Sequence, residues 1–465
     1  MNRRFLQRAT LAVTLLLLVV GMGHAQNRAK YVFYFIGDGL GINQTYGTEL
    51  YNAQAGGGDG RLSFTRFPVR TYVTNHSSSS AVTDSAAAAT ALATGIKTNN
   101  GYLGVDKEGE QARNIAEVAK GLGYATGVAT NVGINHATPS GFYAHCKDRG
   151  DYTELCTQLF AGEMDFAAGA TFLCRSRSGL KPQDMVARAR EAGIEVVQSA
   201  DKAAQVRGKR VILLSDSLSR KNLPFAIDRR EGSESIVDFT DAAIRYLERE
   251  GDKGFLLMIE GGRIDYSCHD NDAVTTFKEV NDFDASIRLA LDFYERHPDQ
   301  TLIVVTSDHE TGGMAVGYSK YKINFERLLH QDISMESLTG VMQRMREQGK
   351  MDWEDMQSLL KEHLGLWDKV SLREKDEKSL RKTFEKNFLN NGEKVVGLYT
   401  SNEKMAAEAI KILNKRAYID WISLSHTGMQ VPLWVKGVGY ERFYECYDNT
   451  DIPKAIAEAM GTNLR

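Results

Sequence analysis

The 465-residue sequence has only five cysteines, with no Cys-x-x-Cys pair and no mixed cluster of cysteine and histidine. A structural zinc site of the zinc-finger kind is therefore not indicated. Cys146 and Cys156 are close enough in sequence to pair, but the geometry of the fold decides whether they do. Because the number of cysteines is odd, at least one thiol has no partner within the chain.

The sequence also lacks an excess of basic residues, since 57 lysines and arginines face 60 aspartates and glutamates. The formal net charge of the whole chain is −3, and removing the three arginines of residues 1–25 lowers it to −6. A protein that binds nucleic acid generally presents a basic face. The charge balance argues against that class of function.

Long apolar runs are absent beyond the first residues, so no transmembrane helix is expected in the rest of the chain. The one apolar run, Leu11 to Val20, is short, and it lies between basic residues and small residues: Arg3, Arg4 and Arg8 before it, and Gly23-His24-Ala25 after it. This pattern predicts a secretory signal peptide over residues 1–25. We therefore expect an exported protein, periplasmic or secreted, that is not held in a membrane once the peptide is cleaved.

No internal repeat or low-complexity linker interrupts the remainder, where β-branched apolar runs alternate with helical patterns. The predicted strands are residues 31–36, 125–131, 210–215, 255–259, 301–306 and 431–436, and the clearest helices are residues 114–121, 236–250 and 280–295. This alternation predicts an α/β fold, a three-layer sandwich in which helices flank a large, mostly parallel central sheet. Functional residues of such sheets gather beyond the carboxyl ends of the strands.

Carboxylate and imidazole side chains follow several of these strands. The candidates are Asp38, Glu260, Asp265, His269, Asp308 and His309, with His426 before the last strand. Taken singly, an aspartate at a strand end is usually a turn or cap residue, and a lone histidine is more often a hydrogen-bonded structural residue. Several carboxylates at one sheet edge would repel one another unless cations neutralised them. Imidazole with carboxylate suits zinc, and oxygen ligands alone suit magnesium.

A serine stands where a polar, serine-rich run gives way to an alanine-rich helix, in Thr83-Asp84-Ser85-Ala86-Ala87. Ser85 therefore lies at or next to a helix N-terminus, where free N–H groups and the helix dipole favour an anion. Two interpretations remain open from the residues alone. Ser85 is either a plain helix cap or a nucleophile activated by nearby metal.

Residues 319–400 depart from the alternating pattern, because they are highly charged and helical. Apolar stripes run along two of the helices, one with Met356, Leu359, Leu360 and Leu364, and the other with Leu380, Phe384 and Phe388. Asp352 is placed to cap the first of these helices. We interpret residues 319–400 as a helical subdomain, called the insert below, between the two parts of a catalytic domain at residues 26–318 and 401–465.

Six short motifs, in this order along the chain, resemble those of the alkaline phosphatases. They are Gly37-Asp38-Gly39, Asp84-Ser85-Ala86-Ala87, His136-Ala137-Thr138-Pro139, Glu260-Gly261-Gly262-Arg263-Ile264-Asp265 with His269, Asp308-His309-Glu310-Thr311-Gly312-Gly313, and His426-Thr427-Gly428. One motif alone would be a weak signal. The ordered set is specific, and it covers most of the chain outside the insert.

The resemblance implies two zinc ions and one magnesium ion. The first zinc would be held by Asp265, His269 and His426. The second would be held by Asp38, Asp308 and His309, with Ser85 completing its site. Magnesium would be held by Asp38, Thr138 and Glu260.

The family chemistry implied for this chain is attack of Ser85 on a small-molecule phosphate monoester, followed by hydrolysis of the phosphoserine. Arg149 matches the arginine that binds the phosphoryl oxygens, for which its planar fork is suited. The family resemblance leaves open whether the chain is a monomer or a homodimer.

Two residues beside the predicted ligands depart from common family patterns. His136 stands two residues before Thr138, where the family has either aspartate or histidine. Tyr266 follows Asp265, where other members often carry a basic or imidazole side chain. These two positions bear on magnesium affinity and on substrate range.

Alternative functions differ in the nucleophile and in the third metal site. A phosphodiesterase or nucleotide pyrophosphatase of the same superfamily usually has a threonine nucleophile and lacks the magnesium ligands. A sulfatase would need a Cys/Ser-x-Pro-x-Arg motif, which the alanines after Ser85 do not supply. A non-catalytic phosphate- or metal-binding protein would need no nucleophile at a helix start.

Overall fold

The computed structural model describes residues 28–319, 321–390 and 392–464, so the predicted signal peptide lies outside the described residues. The strands are β1 Tyr31–Ile36, β2 Val69–Val73, β3 Ala125–Thr130, β4 Phe166–Gly169, β5 Glu195–Val197, β6 Val211–Leu214, β7 Phe255–Glu260, β8 Thr301–Thr306, β9 Glu310–Thr311, β10 Met314–Val316, β11 Lys394–Val396, β12 Ser401–Glu403, β13 Ile419–Trp421, β14 His426–Thr427 and β15 Val431–Gly437. The six strands predicted from the sequence are confirmed, each within one residue at either end.

Helices occupy most of the intervening chain. They are α1 Ile42–Gly56, α2 Ser85–Thr94, α3 Ile115–Gly121, α4 Ala137–Ser140, α5 Tyr152–Ala161, α6 Pro182–Glu191, α7 Ala200–Gln205, α8 Ile236–Glu250, α9 Arg263–His269, α10 Ala273–Arg296, α11 Met335–Glu347, α12 Trp353–Leu364, α13 Glu374–Thr383, α14 Lys404–Arg416 and α15 Asp451–Ala459. Helix α10 begins seven residues before the predicted start at residue 280, because Asp272 caps it by accepting from the Thr275 N–H. Within the described parts of the chain, none of these helices has the length and hydropathy that a bilayer crossing requires.

The central sheet has the strand order β2-β15-β8-β1-β7-β3-β4-β6-β5. Strand β15 runs antiparallel to β2 and β8, and the other neighbouring strands are parallel. The long central strands are buried along their whole length, as expected for a parallel sheet covered on both faces.

Alternate residues of the central strands point to opposite faces and so build two separate cores. Val32 and Ile36 of β1 pack in the core that contains helices α2, α3 and α15. Phe33 and Phe35 of the same strand pack against helices α8 and α10. The predicted three-layer α/β sandwich, with its mostly parallel sheet, is confirmed.

A third apolar core is formed chiefly by helices of the insert. Trp353, Met356, Leu360, Leu380 and Phe384 are buried in it, and they pack with side chains of helices α1, α10 and α14, which lie outside the insert. The cap proposed for α12 is present, since Asp352 accepts from the Asp355 N–H. The apolar stripes of the insert therefore bury against the remainder of the chain.

All five cysteines are free thiols. Cys146 and Cys156 are not joined, although they are close in sequence.

Candidate active site

The candidate residues meet at the carboxyl edge of the central strands. Asp38 follows β1, Glu260 ends β7, and Asp308-His309 follow β8, while β1 pairs directly with both β7 and β8. Asp265 and His269 lie four residues apart on α9, and they face one another at 3.3 Å between Nε2 and Oδ2. The parallel register therefore carries three separate sequence motifs to one edge.

His426 reaches the same place through a short antiparallel pair, in which it lies opposite Thr311. Strand β9, which contains Thr311, directly follows the Asp308-His309 pair. This pairing brings Nε2 of His426 to 3.9 Å from Oδ1 of Asp265.

Three groups of ligand-type atoms lie close together, each with its atoms within 4.8 Å of one another. We call them cluster 1 (Asp265, His269, His426), cluster 2 (Asp38, Asp265, His309) and cluster 3 (Asp38, His136, Glu260). Asp265 and Asp38 are each shared by two clusters, so the three form one continuous site.

Two features of this grouping differ from the ligand sets that the resemblance implies. Asp265, rather than Asp308, joins Asp38 and His309 in cluster 2, although Oδ2 of Asp308 lies 3.1 Å from Nε2 of His309. His136 joins cluster 3, with Nδ1 at 3.9 Å from Oε1 of Glu260. Thr138 is fully buried in α4, next to His136, and its hydroxyl has no hydrogen-bond partner.

Hydrogen bonds fix the orientation of the histidine rings. Nδ1 of His269 lies 2.6 Å from the Leu424 carbonyl, and Nδ1 of His426 lies 3.0 Å from the Thr83 carbonyl. A carbonyl oxygen only accepts, so each ring donates from Nδ1, and in the neutral imidazole this places the lone pair on Nε2. This is the arrangement that a metal-binding histidine needs.

The polar atoms that face one another in these clusters have no protein hydrogen-bond partner. They are both carboxylate oxygens of Asp38, Oε1 of Glu260, Oδ2 of Asp265, Oδ2 of Asp308, Nε2 of His269, Nε2 of His426 and both ring nitrogens of His136. Buried polar groups are otherwise nearly always paired. The carboxylate oxygens and one nitrogen of each imidazole in this set fit divalent metal ions as ligands.

The charges lead to the same conclusion. Burial, together with the charges of Asp308, Asp265 and Glu260, raises the pKa of Asp38 well above its usual range. Burial together with the charge of His309 lowers the pKa of His426 to about 4, so this imidazole is neutral at neutral pH. Carboxylates packed this closely need positive charge between them, and a neutral imidazole is ready to coordinate.

Ser85 is the first residue of α2, and its hydroxyl oxygen lies 3.2 Å from Nε2 of His309. The cap of this helix is Asp84, whose side chain accepts from the Ala87 N–H at 3.0 Å. Because Asp84 supplies the cap, Ser85 is left free of that role. The helix is buried along its whole length, so its N-terminus is fixed relative to the clusters.

Arg149 lies on the other side of the same helix start. Its Nη1 donates to Oδ2 of Asp84 at 2.9 Å, and its Nη2 donates to the hydroxyl of Tyr399 at 3.4 Å. Tyr266 stacks on Tyr399, with ring centroids 4.3 Å apart and an angle of 14° between the planes. Every side chain singled out from the sequence thus lies in or beside one site.

Two residues of this site were not assigned a role from the sequence. Asp84 could have been identified, because an aspartate directly before an alanine-rich helix is a strong cap signal. Tyr399 carries no such signal, since it lies in a short hairpin of the insert, far from the other motifs in the sequence.

The family model for alkaline phosphatase matches residues 29–462. The chain belongs to the alkaline phosphatase family. Alkaline phosphatase 4 of Bacillus subtilis is 30% identical over 388 residues, covering 82% of this chain and 77% of that protein. Alkaline phosphatase 3 of the same species is 29% identical over 464 residues, covering 95% of this chain and 91% of that protein.

Solved alkaline phosphatases share the fold. The enzyme of Thermus thermophilus superposes with a TM-score of 0.75 at 25% identity, over 96% of this chain and 94% of that one. The cold-active enzyme of a psychrophilic Shewanella species gives a TM-score of 0.77 at 24% identity, over 92% and 99%. As a member of this family, the chain is a metal-binding hydrolase of phosphate monoesters.

Proposed function

We propose that this alkaline phosphatase hydrolyses phosphate monoesters through a phosphoserine at Ser85, with two zinc ions and one magnesium ion. The observation that carries the proposal is the position of the Ser85 hydroxyl, 3.2 Å from Nε2 of His309 and beside three linked ligand clusters. A serine that is buried at a helix start, and is not the cap, is poised for nucleophilic attack.

The donor types support an assignment of the metals. Clusters 1 and 2 combine imidazole nitrogen with carboxylate oxygen, and would hold zinc, with Asp308 beside cluster 2. Asp38, Glu260 and the hydroxyl of Thr138 offer oxygen and would hold magnesium, with His136 close by. Bound zinc would lower the pKa of the Ser85 hydroxyl and stabilise negative charge on the departing oxygen.

The remaining chemistry uses this chain's own side chains. Oγ of Ser85 attacks phosphorus, the new Oγ–P bond forms, and the ester P–O bond breaks to release the alcohol. Water then attacks the phosphoserine, breaking the Oγ–P bond and releasing inorganic phosphate. The N–H groups at the start of α2 and the guanidinium of Arg149 bind the non-bridging oxygens during both steps.

We further propose that the protein is exported, periplasmic or secreted, after cleavage behind Ala25, and that its substrates are small molecules and not nucleic acids. The basic, apolar and small-residue pattern of residues 1–25 supports export, and the acidic net charge supports the substrate class. The insert would border the active-site entrance, since Tyr399 contacts Arg149. At that position the insert could serve as a lid or as the interface of a homodimer. Light scattering distinguishes a dimer from a monomer.

Turnover of an aryl phosphate monoester against the matching diester, with metal analysis of the same preparation, tests the proposal. We expect kcat/KM for the monoester to exceed that for the diester by more than about 100-fold. Zinc and magnesium should be present in a ratio near two to one, and chelation should abolish turnover. Preference for the diester would contradict the proposal and favour a phosphodiesterase of the same superfamily.

A further inference from the structure

Tyr399, near the end of the insert, is held at the active site by the hairpin of β11 and β12. Tyr399 lies in the loop between β11 and β12. The residue that follows it, Thr400, and Asn402 of β12 both donate hydrogen bonds to Asp270. Nδ2 of Asn402 donates to Oδ1 of Asp270 at 2.7 Å, and the Thr400 hydroxyl donates to the same oxygen. Asp270 directly follows His269 of cluster 1, so the hairpin is anchored beside a candidate metal ligand.

The ring of Tyr399 packs against Tyr266 and against two histidines of the metal clusters. It stacks on Tyr266, which follows Asp265 in the chain. Its centroid lies 5.4 Å from that of His269 and 5.7 Å from that of His136, with both rings at steep angles to it. Contacts of this kind stabilise one ring position, and so they fix where the hydroxyl points.

The hydroxyl of Tyr399 contacts Arg149 at one end of the guanidinium, while Asp84 binds the other end. Hydrogen bonds thus hold Arg149 between Asp84, the cap of α2, and Tyr399 of the hairpin. A guanidinium has further N–H groups that these two contacts leave unused. A side chain fastened in this way loses less conformational freedom when it binds a phosphoryl group.

We propose that Tyr399 is a positioning residue, through which the insert holds Arg149 in the orientation that binds the phosphoryl group. The proposal rests on the proposed role of Arg149 in phosphate binding. It assigns to the insert a contribution to affinity for phosphate itself, which every monoester substrate shares.

The test is a double-mutant cycle in the metal-loaded enzyme, read out as the inhibition constant of inorganic phosphate. Tyr399→Phe removes the hydroxyl and keeps the stacked ring, so the fold should be retained. We expect the inhibition constant and KM to rise about 5-fold, with kcat changed by less than about 2-fold, as for loss of one hydrogen bond. In an Arg149→Ala background, Tyr399→Phe should change the inhibition constant by less than about 2-fold.

Tyr321→Phe is the matched control, because Tyr321 is a fully exposed tyrosine of the same insert, and it should change neither constant. An unchanged inhibition constant in Tyr399→Phe would overturn the inference, as would an equal effect in both backgrounds. The Arg149→Ala single variant tests the proposed function separately. If that variant binds phosphate as the wild type does, the role of Arg149 fails, whatever the effect of Tyr399→Phe.

Discussion

Arg149 donates to the carboxylate of Asp84 at 2.9 Å, and Asp84 is the cap of the helix that begins with Ser85. One carboxylate thus joins the residue proposed to bind phosphate to the start of the helix that carries the nucleophile. Burial alone would raise the pKa of Asp84, but the charge of Arg149 and the N–H groups of Ala87 and Gly101 outweigh burial and lower it. Asp84 therefore stays ionised at neutral and alkaline pH.

The first prediction concerns Arg149. Arg149→Ala removes a charged, two-pronged contact worth on the order of 1.5–3 kcal/mol, so the inhibition constant of inorganic phosphate should rise at least about 10-fold. Turnover should slow but remain measurable, because the proposed metal ions would still stabilise the transferred charge. Arg245→Ala, which breaks exposed ion pairs on α8, is the control. Unchanged inhibition by phosphate would contradict the assigned role.

The second prediction separates the two functions of Asp84. Asp84→Asn keeps a good helix cap but loses the charge that holds Arg149, so phosphate affinity should fall with little change in the melting temperature. Asp84→Ala loses the cap as well and should lower the free energy of unfolding by about 0.5–2 kcal/mol. Thermal unfolding and phosphate inhibition, measured on both variants, check this. Equal phosphate inhibition in Asp84→Asn and wild type would show that the ion pair does not position Arg149.

The third prediction concerns His136, whose ring nitrogens group with Asp38 and Glu260. Neutral imidazole adds no negative charge and offers nitrogen, whereas Mg²⁺ prefers oxygen. His136→Asp should therefore shift the activation curve for Mg²⁺ to lower concentration in metal-stripped, zinc-reconstituted enzyme. His136→Asn, which is also uncharged, should shift it much less. Overlapping curves for wild type and His136→Asp would eliminate this role.

The fourth prediction concerns the pH dependence of stability. Burial and the charge of Asp282 raise the pKa of the Glu279 carboxyl to about 7, so the folded state retains a proton that the unfolded chain releases near pH 4.3. At a pH below both pKa values, the carboxyl is protonated in the folded and in the unfolded state, so its ionisation does not change the free energy of unfolding. As the pH rises from about 4.3 to about 7, ionisation of Glu279 should lower the free energy of unfolding by on the order of 3 kcal/mol.

Glu279→Gln should remove that loss. Urea unfolding of both proteins at pH 5 and pH 8 provides the comparison, and the fall in stability between the two pH values should be smaller in the variant. An identical fall in both proteins would show that Glu279 is not the group responsible.

The fifth prediction concerns the insert. Leu360 is fully buried in the core that the insert shares with α1 and α10. Leu360→Ala should lower the free energy of unfolding by about 2–5 kcal/mol and leave KM unchanged. Lys361→Ala, on the exposed side of the same helix, should change stability little. If the insert formed no common core with the catalytic domain, Leu360→Ala would produce a separate, earlier unfolding transition.

Much of the fold could be predicted from the sequence, because long apolar strands have an unambiguous pattern. For strands such as Tyr31–Ile36 and Thr301–Thr306, the sequence predicts both the strand and its first and last residues. Strands β2, β4 and β5 were missed. Strand β4 is four residues with two alanines, β5 has only three residues, and β2 alternates buried and exposed positions at the edge of the sheet.

The site could be predicted as a set of residues but not as a set of contacts. Asp38, Glu260 and Asp308 could be identified because each lies at the end of a predicted strand, and the carboxyl ends of parallel strands lie at one edge of the sheet. The grouping of His136 with Asp38 depends on the path of the loop before α4, which no periodic pattern encodes. Tyr399 was not found for the same reason, since a hairpin far along the chain carries it to Arg149.

Ser85 is the residue proposed to form the covalent intermediate. Incubating the metal-loaded enzyme with labelled inorganic phosphate at acidic pH, then denaturing it and mapping the labelled peptide, tests this most directly. We expect label on the peptide that contains Ser85, and none in Ser85→Ala, which should still fold and bind zinc. Label on any other residue, or label that persists in Ser85→Ala, would contradict it.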